Sequence, residues 1–266
     1  MCCCGADVAE PKLITSRDNP LLVRLRKLAA DPAAYRKQGE VWIEGEHLCQ
    51  AFVQRGGGVP QAVVSEAGWQ NPAVRGLLKD AAAVAIVAAP LMAGLSTLES
   101  PAPIAFAVPW AGAGALQAGA ASVVLDRVQD AGNVGTIVRS AAAFGFTQVI
   151  ALKGSAALWS PKVLRAGMGA HFGLHLLEGV EPSELEALSV PMLATSSHAA
   201  HAIHEVELPW PCAWVMGHEG QGVAAALLAR CAQALRIPQP GGEESLNVAA
   251  AAAVCLYESA RQRGVR

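Results

Sequence analysis

Three times in the second half of this chain, an apolar, strand-like run stops at a short segment of small residues carrying one or two polar side chains. The first such segment runs from Leu125 through Asp126, Gly132, Asn133 and Gly135 to Arg139. The second runs from Val215 through Gly217 and Glu219 to Gly222. The third runs from Ile237 through Pro238, Ser245 and Asn247 to Val248, and enters an alanine-rich stretch. Open α/β sheets place their ligand sites beyond the carboxyl ends of strands, where such segments would gather. The recurrence therefore predicts an α/β sheet protein with one composite site, and points to an enzyme.

The rest of the chain is consistent with a folded α/β protein. Its 266 residues suit two domains or one large one, and 53% hydrophobic against 16% charged residues supplies ample core. Cys2, Cys3 and Cys4 are adjacent, and Cys49, Cys212, Cys231 and Cys255 stand alone. No CxxC pair occurs, so neither structural zinc nor a disulfide framework is expected, and reduced thiols in the cytoplasm fit best. The Cys2–Cys4 run reads as a tail without function. No signal peptide is evident, and the uncharged stretches 81–98 and 100–125 are broken by Pro90, Gly94, Pro101, Pro103 and Pro109, so no membrane span is expected.

A net charge of −2 argues against binding nucleic acid through bulk positive charge. The distribution is uneven, however. Lys12, Arg17, Arg24, Arg26, Lys27, Arg36 and Lys37 crowd the N-terminal region, and Arg261, Arg263 and Arg266 the C-terminus. A solvated helix face explains such runs, and an anionic partner fits them too.

Periodicity orders the elements. Asp18-Asn19-Pro20 predicts a capped helix to about Ala30. A strand at 41–45, a helix at 46–54, strands at 61–65 and 83–87 with a helix at 72–80 between them, and a strand at 104–108 complete the first half. The domain boundary is placed near residue 103, giving domains at 1–103 and 104–266. Beyond it, strands are expected at 122–125, 148–151, 175–177, 192–195, 213–216 and 234–237. Helices are expected at 135–144, 161–168, 182–187, 223–230 and 245–263. That is a mostly parallel sheet with helices on both faces.

In the first motif, a helix opening at Gly132–Gly135 would offer free amides, with the Asn133 side chain, to an oxygen-rich ligand. Arg139, one turn on, could grip a phosphate at two points. A capped helix with a surface arginine is the competing explanation. A dinucleotide loop is excluded by spacing, because Gly132, Gly135 and Gly145 do not form G-x-G-x-x-G. The glycines around Glu219 allow either a ligand on bare backbone or a close crossing of two chain segments. Glu219 itself needs a partner there, expected to be an arginine. Ser245 or Asn247 should start the last helix. His198, His201 and His204 lack an accompanying carboxylate pattern, so no metal is expected; His171 and His175 are a similarly poor pair.

Together these segments resemble the SpoU (TrmH-like) branch of the SPOUT methyltransferases, whose pattern is N-x-G-x-x-x-R, then G-x-E-x-x-G, then I-P-…-S-L-N-V. Asn133, Gly135 and Arg139 match the first part, Gly217, Glu219 and Gly222 the second, and Ile237, Pro238 and Ser245–Val248 the third. Residues 161–170 are similar to the family's R-A-S-x-G-A stretch, with Gly167 in place of serine. The resemblance spans 121–263, and the N-terminal domain resembles an L30e-type RNA-binding domain.

The resemblance implies a trefoil-knotted C-terminal sheet domain, a homodimer, S-adenosylmethionine as methyl donor, and transfer to a ribose 2′-hydroxyl of RNA, with rRNA favoured. A tRNA ribose methyltransferase and a non-catalytic RNA-binding assembly factor are the alternatives. It also implies cofactor contacts from Thr195, Gly217, Ile237 and Leu246, and a catalytic centre of Asn133, Arg139, Glu219, Ser245 and Asn247. Arg17, Arg24, Lys162 and Arg165 are the expected RNA-binding cations. The expected division of labour has Arg139 holding an RNA phosphate and the developing alkoxide. Asn133 and Ser245 orient the nucleophile, and Glu219 fixes Arg139.

Overall fold

The computed structural model describes residues 11, 13–96, 98–112, 114–241 and 245–264. The Cys2–Cys4 run, Lys12, Gly242, Glu243, Glu244 and Arg266 lie outside the described residues. Two compact units emerge, the first running to Trp110 and taking in Trp159–Pro161, the second comprising Ala111–Leu158 and the chain from Lys162 onward.

The first unit contains β1 (Leu13–Ile14), α1 (Pro20–Ala30), α2 (Ala34–Gln38), β2 (Glu40–Glu44), α3 (Glu46–Gln54), β3 (Gln61–Ser65), α4 (Glu66–Gln70), α5 (Pro72–Gly76), β4 (Val84–Val87), α6 (Ala89–Ala93) and β5 (Ile104–Pro109). Its sheet has the order β1-β4-β3-β5-β2 and is mixed, with β5 antiparallel to both neighbours. Asn19 caps α1 as expected, its side chain accepting from the Leu21 amide at 3.0 Å. The expected boundary near 103 is corrected: β5 pairs Phe106 with Ile43 and Ala62, so residues 104–109 complete the first sheet and the division falls after Trp110. Strand-to-strand hydrogen bonding, which composition does not report, decides that.

The second half contains β6 (Ser122–Leu125), α7 (Ala131–Ala143), β7 (Gln148–Leu152), α8 (Pro161–Gly167), β8 (His175–Val180), β9 (Met192–Thr195), β10 (Ala213–Met216), α9 (Ala225–Leu228), β11 (Gln233–Leu235) and α10 (Val248–Gln262). Its six-stranded sheet has the order β11-β9-β10-β6-β7-β8, with every pairing parallel. Both faces are buried, as a parallel sheet requires. Val124, Ile150, Ala194 and Val215 pack on one side with Leu227 of α9. Trp214 faces the other way and donates its indole N–H to Ser259 of α10 at 2.9 Å. The small residues Ala249, Ala252 and Cys255 let α10 lie close, each no more than 5% exposed.

Several expected elements shrink. The 182–187 helix is a 3-10 turn, the 223–230 helix contracts to α9, and the 72–80 helix stops at Gly76. The last strand ends at Leu235, which releases Ile237 into the loop beyond the sheet edge. No helix among the described residues is long and apolar enough to cross a membrane.

Candidate active site

The carboxyl ends of β9, β10 and β11 and the start of α10 enclose a cleft of about 500 Å³. Thr195 ends β9 at its edge; Gly217 and Glu219 follow β10; Ile237, Ser245, Leu246 and Asn247 come from the segment before α10. Thus the four expected cofactor contacts and three of the five expected catalytic residues converge. Ser196, Ser197, His218 and Gln239 also line the cleft and were not singled out for it, except His218.

A directional chain of hydrogen bonds joins the three motifs. The Asn247 side-chain oxygen caps α10, accepting from Ala249 N at 2.9 Å and Ala250 N at 3.2 Å. Its Nδ2 donates to Asn133 Oδ1 at 3.0 Å, and Asn133 Nδ2 donates to Glu219 Oε1 at 3.2 Å. Each amide has one orientation that satisfies both of its bonds, so the chain fixes which end is donor. Each carboxamide spends one N–H in this chain of bonds.

Glu219 also accepts from the backbone amides of Gln129 at 3.2 Å and Asp130 at 3.0 Å. Burial opposes its ionisation, but the Asp130 amide, the Asn133 side chain and the Gln129 amide outweigh that and hold its carboxyl below the ordinary range. This corrects two expectations. Glu219 is paired by amides rather than by Arg139. The amides around the start of α7 are partly spent, because Asp130 caps the helix through Asn133 N at 2.8 Å and Glu219 takes the Gln129 and Asp130 amides just before it. The D-x-x-N spacing carried that capping signal in the sequence.

Arg139 does not line the cleft of its own chain. It sits exposed on α7, without a hydrogen bond or ion pair among the described residues. Lys162 stands 4.0 Å from Asp130, beside the first motif, and Arg165 is half-buried on α8. In the first unit, Arg17 is exposed, while Arg24 is ion-paired with Glu40 and so partly neutralised. Among the described residues, no three His, Cys, Asp or Glu side chains group as metal ligands do.

The glycines have steric roles. A Cβ on Gly217 would lie 2.2 Å from Gly222 C and Val223 N, since the loop closes on itself through His218 N to Gly222 O at 3.1 Å and Gly222 N to His218 O at 2.8 Å. Of the two readings of these glycines, the close chain crossing holds at Gly217. A Cβ on Gly135 would meet Ala166 Cβ at 2.4 Å, so this motif glycine lets α7 and α8 touch.

Known proteins align with this geometry. Residues 120–257 match the SpoU rRNA Methylase family. The chain is 31% identical over 267 residues to an uncharacterized tRNA/rRNA methyltransferase of Synechocystis sp., covering 94% of each. It is 39% identical over 145 residues to the 23S rRNA (guanosine-2′-O-)-methyltransferase RlmB of Bordetella pertussis, which covers 53% of this chain and 59% of that protein. A crystal structure of an RNA 2′-O ribose methyltransferase superposes with a TM-score of 0.80 at 30% identity, over 96% of this chain and all of that one. The SpoU methyltransferase AviRb of Streptomyces viridochromogenes, solved with AdoMet, shares the fold at a TM-score of 0.83 and 24% identity, over 93% and 99% of the two chains. With the three motifs joined through Glu219, Asn133 and Asn247, these matches establish that the chain belongs to the SpoU methylase family.

Proposed function

We propose that this protein transfers the methyl group of S-adenosylmethionine to a ribose 2′-hydroxyl of RNA, with rRNA as the favoured substrate. The observation that carries the reading is the convergence of Thr195, Gly217, Ile237 and Leu246 with the Glu219–Asn133–Asn247 chain at one sheet edge. The cleft fits the donor: Ile237, Leu246, Val248 and Ala251 give an apolar wall for a purine, and Glu219, Ser245 and Asn247 supply polar groups. S-adenosylmethionine supplies an electrophilic methyl group on a sulfonium.

The protein's own work is to align and to desolvate. An in-line displacement gains most from fixed positions, and the Glu219–Asn133–Asn247 chain fixes two carboxamides that can orient a ribose hydroxyl. Ser245, on the cleft wall, is a second hydroxyl-orienting group. A guanidinium stays protonated at working pH, so Arg139 acts by gripping a phosphate and stabilising the developing alkoxide, while the 2′-hydroxyl proton passes to solvent water as the O–CH3 bond forms and the S–CH3 bond breaks.

Because Arg139 lies outside the cleft of its own chain, the same reading makes the protein a homodimer in which a second copy's arginine completes the site. Val254 and Tyr257, 39% and 55% exposed on α10, support this. We also assign a trefoil knot to the C-terminal domain, supported by β10 standing between β9 and β6. The first unit is assigned an L30e-like, RNA-binding role through Arg17 and its neighbours, with Lys162 and Arg165 as further RNA contacts. The RNA substrate and the unpaired Cys49, Cys212, Cys231 and Cys255 fit the cytoplasm.

The test is methyl transfer from labelled S-adenosylmethionine to rRNA and, separately, tRNA from a strain lacking the protein, with the product mapped to a ribose. Transfer to tRNA alone would select the tRNA reading; no calorimetric affinity for the donor would favour an assembly factor. Arg139→Lys should lose most turnover, and near-normal turnover would contradict a two-point grip.

A further inference from the structure

None of Asp126, Arg127 and Gln221 lines the cleft, yet the three tie its most glycine-rich wall to the end of β6. Asp126 is 4% exposed. Its Oδ1 accepts from Arg127 Nε at 2.8 Å, and its Oδ2 from Arg127 Nη2 at 3.1 Å and Ala224 N at 2.7 Å. Arg127 Nη1 then reaches across to Gln221 Oε1 at 3.0 Å. Arg127 holds a left-handed backbone, φ 58°, which an L-residue other than glycine adopts only when its surroundings compel it. Gly154 makes room for it, since a Cβ there would stand 3.2 Å from Arg127 Cγ.

The wall in question is the loop 217–223. Gly217, His218, Glu219, Gly220, Gly222 and Val223 line the cleft, and Gln221 is the member that does not. Three glycines in such a loop leave its backbone underdetermined, because each widens the set of accessible conformations. Its internal ties all run to His218, from Gly222 through the backbone and from the Gly220 amide to His218 Nδ1 at 3.0 Å. External ties therefore decide its register: Glu219 is held by residues 129, 130 and 133, Gln221 by Arg127, and Ala224 by Asp126.

We propose that Asp126, Arg127 and Gln221 form a clamp behind the cleft that keeps the loop 217–223 in its donor-binding register, making Arg127 a positioning residue for methyl transfer. The inference rests on the cleft being the S-adenosylmethionine site. The energetic logic is that strain at Arg127 is retained because its fork serves two chain segments at once. A glycine there would satisfy the backbone better and position the loop worse.

That opposition supplies the test. Arg127→Gly and Gln221→Ala are compared with wild type for calorimetric affinity toward S-adenosylhomocysteine and for thermal unfolding of the full chain. Arg127→Gly should weaken binding about tenfold while the unfolding midpoint stays within a few degrees of wild type. Gln221→Ala, an exposed substitution, should weaken it a few-fold without touching stability, and Gln221→Glu should restore wild-type affinity. The double variant Arg127→Gly/Gln221→Ala should bind no worse than Arg127→Gly alone, because both remove the same link. Affinities unchanged in Gln221→Ala, or strictly additive losses in the double variant, would overturn the clamp. Should Arg127→Gly not fold, the two Gln221 variants decide alone. If wild type itself fails to bind S-adenosylhomocysteine, the donor-site reading falls first and the clamp with it.

Discussion

In the first sheet β1 to β4 run one way and β5 runs against them, and two cations of the neighbouring α1 are tied locally. Arg24 pairs with Glu40, and the Arg26 Nε donates to Leu22 O at 3.3 Å. In the second sheet every strand is parallel, so all the carboxyl ends fall on one edge. Thr195, Gly217, Glu219 and Ile237, separated by up to 42 residues from Thr195 to Ile237, meet there in one cleft. In the second sheet, shared strand direction thus gathers residues scattered along the chain into one site.

The sharpest way to break this contrast is at Gly217. Gly217→Ala would drive a methyl group into Gly222 and Val223, so donor affinity measured by calorimetry should fall on the order of a hundredfold or more. A comparable substitution at an open glycine such as Gly58, in the first unit, should leave it unchanged.

A second test separates the packing beneath the site from the site itself. His171 is fully buried, donates its Nε2–H to Leu158 O at 2.9 Å, and has its pKa pushed down to about 4, chiefly by burial. Between that value and the ordinary 6.5, the unfolded chain holds a proton that the folded chain does not. Stability should therefore be full at neutral pH and decline as pH falls from 6.5 through 4, by roughly 2–3 kcal/mol. Urea unfolding at stepped pH should show this slope, and His171→Leu should flatten it.

Glu219→Gln sharpens the comparison at the sheet edge. Losing the charge that gathers three donors should weaken donor binding roughly tenfold. With the Glu219 carboxyl depressed in the folded state, its contribution is present above the unfolded value and lost as pH falls through the folded one. Binding should be level above about pH 5 and decline only on further acidification. Asn247→Ala, which removes the cap of α10, should cost about 1 kcal/mol in urea unfolding. Smallest of all, Arg24→Gln in the first sheet should change stability by no more than about 0.5 kcal/mol, being a partly exposed pair.

Much of this was legible from residues alone. The strands at 122–125, 192–195 and 213–216 have the expected limits, because continuous apolar runs between turn residues leave little latitude. The residues of the cleft wall were legible as well, through the pattern shared with a known family. The Asp130 cap of α7 left a signal in its spacing to Asn133, though the helix was expected to open at Gly132. Two features left none. Residues 104–109 joined the first sheet, since no local signal says which sheet a strand will enter. The tie from Arg127 to Gln221 spans 94 residues and leaves no periodic trace.

The sequence by itself determined the α/β class, the order of elements and the residue types that converge, because these follow from hydrophobic period and from turn chemistry close along the chain. Only the tertiary structure decided the partners. Glu219 took backbone amides and Asn133 instead of Arg139, since a carboxylate beside the start of a helix finds preplaced N–H donors nearer than a guanidinium on that helix's exposed face.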